Sequence, residues 1–484
     1  MKDGLATRGL VLNEPLLWKK GRKGRAGVVI PAADVDPAPV DELLRGRGPD
    51  FPDLSELDVV RHYTRLSQWN FGVDSGMYPL GSCTMKYNPK TNEKQASRKG
   101  FARLHPLLPD ELSQGALQLM GELQDYLIEI TGMPAVSLQP AAGAQGELTG
   151  MLVMHALFKH RGESRTKIIV PDTAHGTNPA SAALCGFSSV PAASGERGIL
   201  EVQTVEAIMD DATAGIMVTN PNTLGLFEEN IQEIARIVHE RGGLVYCDGA
   251  NMNALMGIVD MAGLGIDILH LNLHKTFSTP HGGGGPGAGP VLVTEELEPF
   301  LPIPRIIQKS GTRRLSEDYP LSIGKVHGFY GNFGVLIKAC SYIRSMGTDL
   351  KMASRMAVLS ANYLKERLKG TFHLPFDRPC MHECVFTDAF QQPLGVTTLD
   401  IAKRLMDYGF HPPTVYFPLV VKGAIMIEPT ETESKETLDT FVESMLAIAR
   451  EARETPELLK NAPHICRTRR LDETQAARKP CLAG

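Results

Sequence analysis

Cysteine is scarce in this sequence: eight residues of 484, Cys83, Cys185, Cys247, Cys340, Cys380, Cys384, Cys466 and Cys481. Spacing this wide excludes a disulfide framework and suits reduced thiols in a cytoplasmic, prokaryotic setting. Only Cys380, His382 and Cys384 fall close together, and without a second ligand pair they are read as small buried side chains with no metal. Positive charge is not in excess either, with 50 Lys and Arg against 55 Asp and Glu, a net −5. That balance argues against nucleic acid as the main partner. The chain also lacks any run of about 18 apolar residues and any apolar stretch near its start followed by a small-residue cleavage site, so spanning and secretion are both disfavoured. Internal repeats are missing. With 47 Gly and 33 Pro it is loop-rich, yet 43% apolar and 22% charged residues place it among folded globular proteins.

What is present is an alternation. Residues 1–95 are rich in Pro and Gly and read as an arm, with the basic run Lys19 to Arg25 solvated. A helix follows, with Ala116, Leu119, Met120, Leu123, Leu127 and Ile130 on one face and Gly132 placed to end it. Short apolar runs then recur at 167–170, 215–219, 244–247, 268–271 and 290–293, separated by helical patterns such as Phe227, Ile231, Ile234 and Val238. This predicts a mostly parallel α/β sheet covered on both faces, in a large domain over 96–345. A smaller α/β domain is expected over 346–460, with strands near 382–386 and 423–427 and helices at 399–408 and 435–452. A charged tail follows over 461–484.

Candidate chemistry gathers at the ends of the apolar runs, where open α/β sheets place ligands. Lys275 follows the 268–271 run, Asp248 ends the 244–247 run, Asn220 ends the 215–219 run, and His175 follows the 167–170 run. Gly143, Ala144 and Gln145 precede a helical pattern, so their N–H groups would face an anion. The glycine run 281–290 formally contains G-x-G-x-x-G at Gly282, Gly284 and Gly287. It leads into a strand instead of opening a helix, so it is read as a hairpin and not as a dinucleotide fingerprint.

The set fits pyridoxal 5'-phosphate. A helix N-terminus takes the phosphate, Asp248 keeps the pyridine nitrogen protonated, Lys275 forms the Schiff base, His175 stacks on the ring and Asn220 bonds its phenolic oxygen.

Longer motifs sharpen this: Tyr78 to Pro89 (YPLGSCTMKYNP), Gln139 to Glu147 (QPAAGAQGE), Asp172 to Ser181 (DTAHGTNPAS), Asn272 to Phe277 (NLHKTF) and Met426 to Glu433 (MIEPTETE). Over nearly its whole length the chain resembles the glycine dehydrogenase (decarboxylating) family, the P-protein of the glycine cleavage system, in the lysine-bearing subunit of its split, two-chain form. The resemblance implies the fold-type-I, aspartate-aminotransferase-like fold. It also implies decarboxylation of glycine, with the aminomethyl group passed to the lipoyl arm of an H-protein, and a first subunit as partner in an α2β2 assembly. It carries over Lys275, His175 and Asp248, then Asn220, Gly143, Ala144, Gln145, His274 and Thr276 for the cofactor, and it sets the motif with Ser82, Cys83 and Thr84 near the substrate, with a structural role as the alternative and Cys83 read as packing. Arg313 and Arg314 are candidates for the glycine carboxylate, with a surface pair as the default. The same residues also suit another fold-type-I lyase or desulfurase acting alone, and a non-catalytic scaffold subunit is the further alternative.

Overall fold

The short apolar runs become strands because they are β-branched-rich and bounded by turn residues. In the computed structural model, which describes residues 7–8, 11–12, 14–36, 43, 45–281 and 285–481, they assemble into a seven-stranded sheet. Gly282 and Gly284 of the glycine run, and the outermost residues at both ends of the chain, lie outside the described residues. The strand order across the sheet is Ala135–Ser137, Val291–Val293, Ile268–Leu271, Leu244–Gly249, Thr213–Thr219, Lys167–Pro171 and Ser188–Ala192. Val291–Val293 runs antiparallel to both its neighbours, and all the remaining pairings are parallel. The two strands absent from the sequence reading, Ala135–Ser137 and Ser188–Ala192, are the sheet edges. The latter is mostly exposed and carries Pro191, so its composition gave no apolar signal.

Helices cover both faces. Gln114–Thr131 ends at Gly132, whose φ of 75° is the left-handed conformation that glycine adopts without penalty. Its buried face, with Leu123, Leu127 and Ile130, packs in one hydrophobic cluster with Ile216, Val218, Val245 and Leu269 of the sheet, while Gly143–Arg161 covers the opposite face through Met151, Met154 and Leu157.

A second, three-stranded antiparallel sheet in the order Cys384–Thr387, Ala424–Ile427 and Thr414–Val415 has its own core with helices Leu350–Leu368, Thr398–Asp407 and Lys435–Glu454. Cys380 and Cys384 are buried in that core. Both sheets belong to one compact unit, residues 76–470.

Residues 1–75 and 471–484 form the other compact unit. It holds a helix, Glu56–Ser67, capped by a reciprocal Ser55–Asp58 box. Its Glu14 carboxylate is ringed by Lys20, Arg65 and His62; burial alone would raise its pKa, and these partners bring it down to about 2. Lys20 of the expected solvated run is thus an ion-pair partner, as is Arg25 with Asp58 at 2.8 Å. Among the described residues no helix is long and apolar enough to cross a membrane.

Candidate active site

The strand ends of the large sheet bring together what the sequence spreads over more than a hundred residues. Asp248 lies in register with Thr219 on one neighbouring strand and His270 on the other. It is 2% exposed, accepts from the Ala250 N–H at 2.9 Å, and has His270 Nε2 at 3.3 Å. Lys275 lies in the single-turn helix Leu273–Thr276 that follows the His270 strand.

The helix Gly143–Arg161 starts against this strand end because small residues let it. A Cβ on Gly143 would sit 2.4 Å from Asn272 Oδ1, and one on Gly289 would sit 2.0 Å from the Ala142 carbonyl oxygen. Ala142 offers no side-chain cap, and the first intrahelical bond is donated by Gly146, so the Gly143, Ala144 and Gln145 N–H groups head an uncapped helix. The Gln145 side chain is occupied within the protein, accepting from the Ala141 N–H at 2.7 Å and donating to the Val326 carbonyl. Its backbone is therefore the part left for an anion.

Several buried polar atoms near these strand ends have no partner among the described residues: Asn220 Nδ2, Thr219 Oγ1, Asn272 Oδ1 and Thr276 Oγ1. Asn220 Oδ1 does accept, from the Glu228 N–H at 3.1 Å, which fixes the amide with its NH2 unused. Orphaned groups of this kind are costly in a folded core and mark where a polar ligand would satisfy them. An uncapped helix N-terminus, an amide donor, a buried carboxylate and a lysine are the donor set that pyridoxal phosphate requires, so the residues present fit that cofactor.

His175 is exposed, with Thr177 Oγ1 2.9 Å from its Nδ1. Burial of part of the ring and the Lys275 charge lower its pKa, against an opposing pull from Asp248, so it is neutral at pH 7. His274 is held lower, at about 4, by burial and then by Lys275 and His281. Its Nδ1 accepts from the Ala288 N–H at 3.3 Å, so this ring braces the far end of the glycine run.

The Tyr78–Pro89 motif crosses the second sheet. Leu80 bridges to Ile427, Gly81 lies so close to Met426 that a Cβ would meet its Cγ at 2.1 Å, and Thr414 Oγ1 donates to the Gly81 carbonyl at 2.7 Å. Ser82, with φ 65°, donates its N–H to Glu383 Oε2 at 2.7 Å, and Thr84 Oγ1 donates to Glu428 Oε1 at 2.5 Å. Lys86 is buried and donates to Glu431 Oε1 and Asn253 Oδ1, each at 2.7 Å. Cys83 Sγ lies 3.3 Å from His281 Nε2. Burial raises the thiol's pKa and lowers the imidazole's, so the pair stays neutral.

Burial likewise raises Glu383 to about 7 and Glu428 well above the carboxylate range, with Lys275 pulling both back. The Lys275 charge acts on Cys83, Glu383 and Glu428 as well as on Glu147, His175 and His270, so it stands between the two sheets' polar groups. Arg313 and Arg314 sit instead on the hairpin Arg305–Lys309/Thr312–Ser316 and face Asp125 at 3.6 Å and Glu111 at 3.5 Å.

Among the residues here with no role in the sequence reading are Glu147, His270, Glu383 and Glu428. His270 is a polar residue inside an apolar strand, and Glu147 follows Gly143 by one helical turn; both were visible as anomalies. Glu383 and Glu428 are 45 positions apart in sequence and meet only because their strands pair, with Cys384 opposite Ile427.

Comparison with known proteins places this arrangement. The glycine dehydrogenase C-terminal domain family matches residues 353–464, and the class-V aminotransferase family matches residues 146–302. A protein of Caldanaerobacter subterraneus named probable glycine dehydrogenase (decarboxylating) subunit 2 is 58% identical over 474 residues, covering 96% of this chain and 98% of that one. A protein of the same name from Desulforamulus reducens is 56% identical over 481 residues, covering 97% and 99%. Among solved structures, an inhibitor-bound glycine decarboxylase (P-protein) of the glycine cleavage system matches with a TM-score of 0.71 at 19% identity, over 85% of this chain and 93% of that one. A cysteine desulfurase from Thermococcus onnurineus matches at 0.61 and 18% identity, over 78% and 95%. The fold is that of the fold-type-I enzymes, with one antiparallel strand in a seven-stranded sheet.

Proposed function

The chain belongs to the glycine dehydrogenase (decarboxylating) subunit 2 family, and on that premise we propose that it is the lysine-bearing subunit of a glycine decarboxylase, acting in the cytoplasm of a prokaryote. Its partners in this reading are a first subunit, in an α2β2 assembly, and a lipoylated H-protein as acceptor. The bond between glycine Cα and its carboxylate breaks, and the electron pair left behind forms a bond to one sulfur of the lipoyl disulfide. The S–S bond breaks, and the second sulfur takes its electron pair and a proton. The products are CO2 and an aminomethyl group on the reduced lipoyl arm.

Bound pyridoxal phosphate, held covalently by the Lys275 amine, supplies the electron sink for the pair that CO2 leaves. The protein's own contributions are positional. N–H groups of Gly143, Ala144 and Gln145 would hold the phosphate, with the unpartnered Thr276 hydroxyl as a further donor, and Asn220 Nδ2 would donate to the phenolic oxygen. Asp248 would keep the ring nitrogen protonated, because a buried carboxylate stabilises an adjacent cation. His175 would stack on the ring face, and His274 braces the glycine run. Ser82, Cys83 and Thr84 form the wall on the substrate side. In this reading a large domain over 96–345 carries the cofactor and a small one over 346–460 carries that wall.

The observation that carries the reading is the convergence of unpartnered buried polar atoms, an uncapped helix start and Asp248 on the strand ends around Lys275. The test is co-expression with a candidate first subunit, then glycine-dependent CO2 release with lipoylated H-protein. Release that requires both proteins is expected. Turnover of cysteine or an aldol substrate by the chain alone, with none of glycine in the complex, overturns it.

A further inference from the structure

Residues 220–228 lie between the strand Thr213–Thr219 and the helix Ile231–Glu240, and Asn220, Asn222, Thr223 and Glu228 among them are buried. Connecting segments usually run over the surface, where water satisfies their polar groups. Here the protein satisfies them. Asn222 uses its whole amide: Nδ2 donates to Glu228 Oε1 at 2.7 Å and to the Gly198 carbonyl at 2.9 Å, and Oδ1 accepts from the Leu224 and Leu226 N–H groups at 3.0 and 3.2 Å. Glu228 uses both oxygens, since Oε2 accepts from the Leu200 N–H at 2.8 Å. Its own N–H then donates to Asn220 Oδ1 at 3.1 Å. The carboxylate thus fixes a backbone N–H, and that N–H fixes which way the Asn220 amide faces.

The other contacts of this segment run to the pieces of chain that carry the remaining site residues. Thr223 Oγ1 donates to the carbonyl of Thr173, two residues before His175, at 2.6 Å. Asn251, three residues after Asp248, donates from Nδ2 to the Pro221 carbonyl at 2.9 Å. The Met381 N–H donates to the Gly225 carbonyl at 2.7 Å, and a Cβ on Gly225 would meet the Glu383 carbonyl oxygen at 2.1 Å.

We propose that Glu228 and Asn222 are positioning residues that lock residues 220–228 so that Asn220 Nδ2 stays turned toward the cofactor's phenolic oxygen. This rests on the cofactor reading for what Asn220 meets; the lock itself belongs to the protein alone. Its polarity makes it testable. In Glu228→Gln the new NH2 faces either the Asn222 NH2 or the Leu200 N–H, donor against donor, and in Asn222→Asp two carboxylates meet. Combining the two substitutions sets an amide donor opposite a carboxylate again and loses only the Gly198 contact.

The first readout is amide hydrogen exchange in the cofactor-free full chain. Burial raises the Glu228 pKa to about 7, so exchange is followed at pH 8, where the carboxylate is ionised. Each single variant should speed exchange over 222–228 at least about tenfold, and the combined variant should slow it again. The second readout is the pH midpoint of the visible absorbance band of the cofactor-supplied protein. A donor to the phenolic oxygen draws its charge away from the Schiff-base proton and eases that proton's loss, so Asn220→Ala should raise the midpoint by about one unit. Glu228→Gln should raise it by at least about half a unit, roughly threefold in proton affinity, and the combined variant should return it to the parent value. Removing the Glu228 charge would by itself lower the midpoint, and lost stability would not move it, so a rise reports the amide. Unchanged exchange in Glu228→Gln overturns the lock. Faster exchange with an unmoved midpoint leaves packing alone and overturns the positioning role. A parent protein without the band is the separate failure of the functional reading, and removes this role for Asn220 with it.

Discussion

The two polar walls around Lys275 differ in what their buried polar atoms hold. On the large-sheet wall, Asn220, Thr219, Asn272 and Thr276 keep donors and acceptors with nothing to bond. On the small-sheet wall, Glu383 and Glu428 each give one oxygen to the Ser82–Thr84 segment and keep the other without a partner among the described residues, and Lys86 bonds to Glu431 and Asn253. The first wall leaves its polar atoms for a ligand; the second uses half of its carboxyl oxygens to hold a piece of its own chain. The difference teaches that substitutions on the large-sheet wall should change function with little change in stability, and those on the small-sheet wall should do both.

The largest effect is expected at Lys275. Lys275→Ala should abolish the visible absorbance band of the cofactor-supplied protein and all glycine turnover, while the thermal midpoint of the cofactor-free chain stays within about 2 °C of the parent. A band that persists in this variant breaks the assignment of the lysine.

Asp248→Ala comes next. Its carboxylate is needed only where charge develops, so turnover should fall about 10²–10³-fold while cofactor affinity, carried by the helix start and Asn220, falls far less. Equilibrium titration of the cofactor against kcat separates the two. Equal losses in both would make Asp248 a mere anchor.

Thr84→Val tests the other wall. Removing the hydroxyl strands Glu428 Oε1 without its donor, in a carboxyl whose Oε2 is already unpartnered. A loss of about 1–3 kcal/mol of stability is expected, together with reduced turnover. Full stability with lost turnover would instead make Thr84 a substrate contact.

This asymmetry also explains what could be read in advance. The strands at 167–170, 215–219, 244–247 and 268–271 are runs of largely buried residues, so their existence was legible, and Asn220, Asp248 and Asn272 sit one position past such a run, with His175, Lys275 and Thr276 within five. Hydrophobic pattern marks the end of a parallel strand, and parallel strands end at ligands. The small-sheet wall has no such marker. Ser82 and Glu383 are 301 positions apart, and Thr84 and Glu428 are 344 apart. Antiparallel pairing at short strands, and a segment laid across them, determine those contacts, and nothing local in the sequence signals them. The Tyr78–Pro89 motif could be placed near the substrate by resemblance, but its dependence on two buried acids came only from the fold. Arg313 and Arg314 show the converse: a legible cationic pair whose neighbours, Asp125 and Glu111, give it a surface role.

The smallest effect is a change in how stability depends on pH. Burial raises the folded-state pKa of Glu383 from 4.5 to about 7, so the folded protein holds a proton there that the unfolded chain releases above about 4.5. A raised carboxyl contributes stability that is complete below the unfolded value and is lost as pH rises through the folded one. Between pH 4.5 and 7 the parent should therefore lose part of its stability through this group. Glu383→Gln keeps an oxygen to accept from the Ser82 N–H but carries no titrating proton. Its midpoint should fall less between pH 5.5 and 8 than the parent's, by about 1–2 °C. Glu428 beside it is raised by burial and then by the Glu383 charge, so the difference between the two proteins reads this carboxyl pair. If the two proteins lose stability in parallel across that range, the Glu383 carboxyl is ionised in the folded state, and the small-sheet wall is then a charged surface facing Lys275 and not a neutral clamp on the chain.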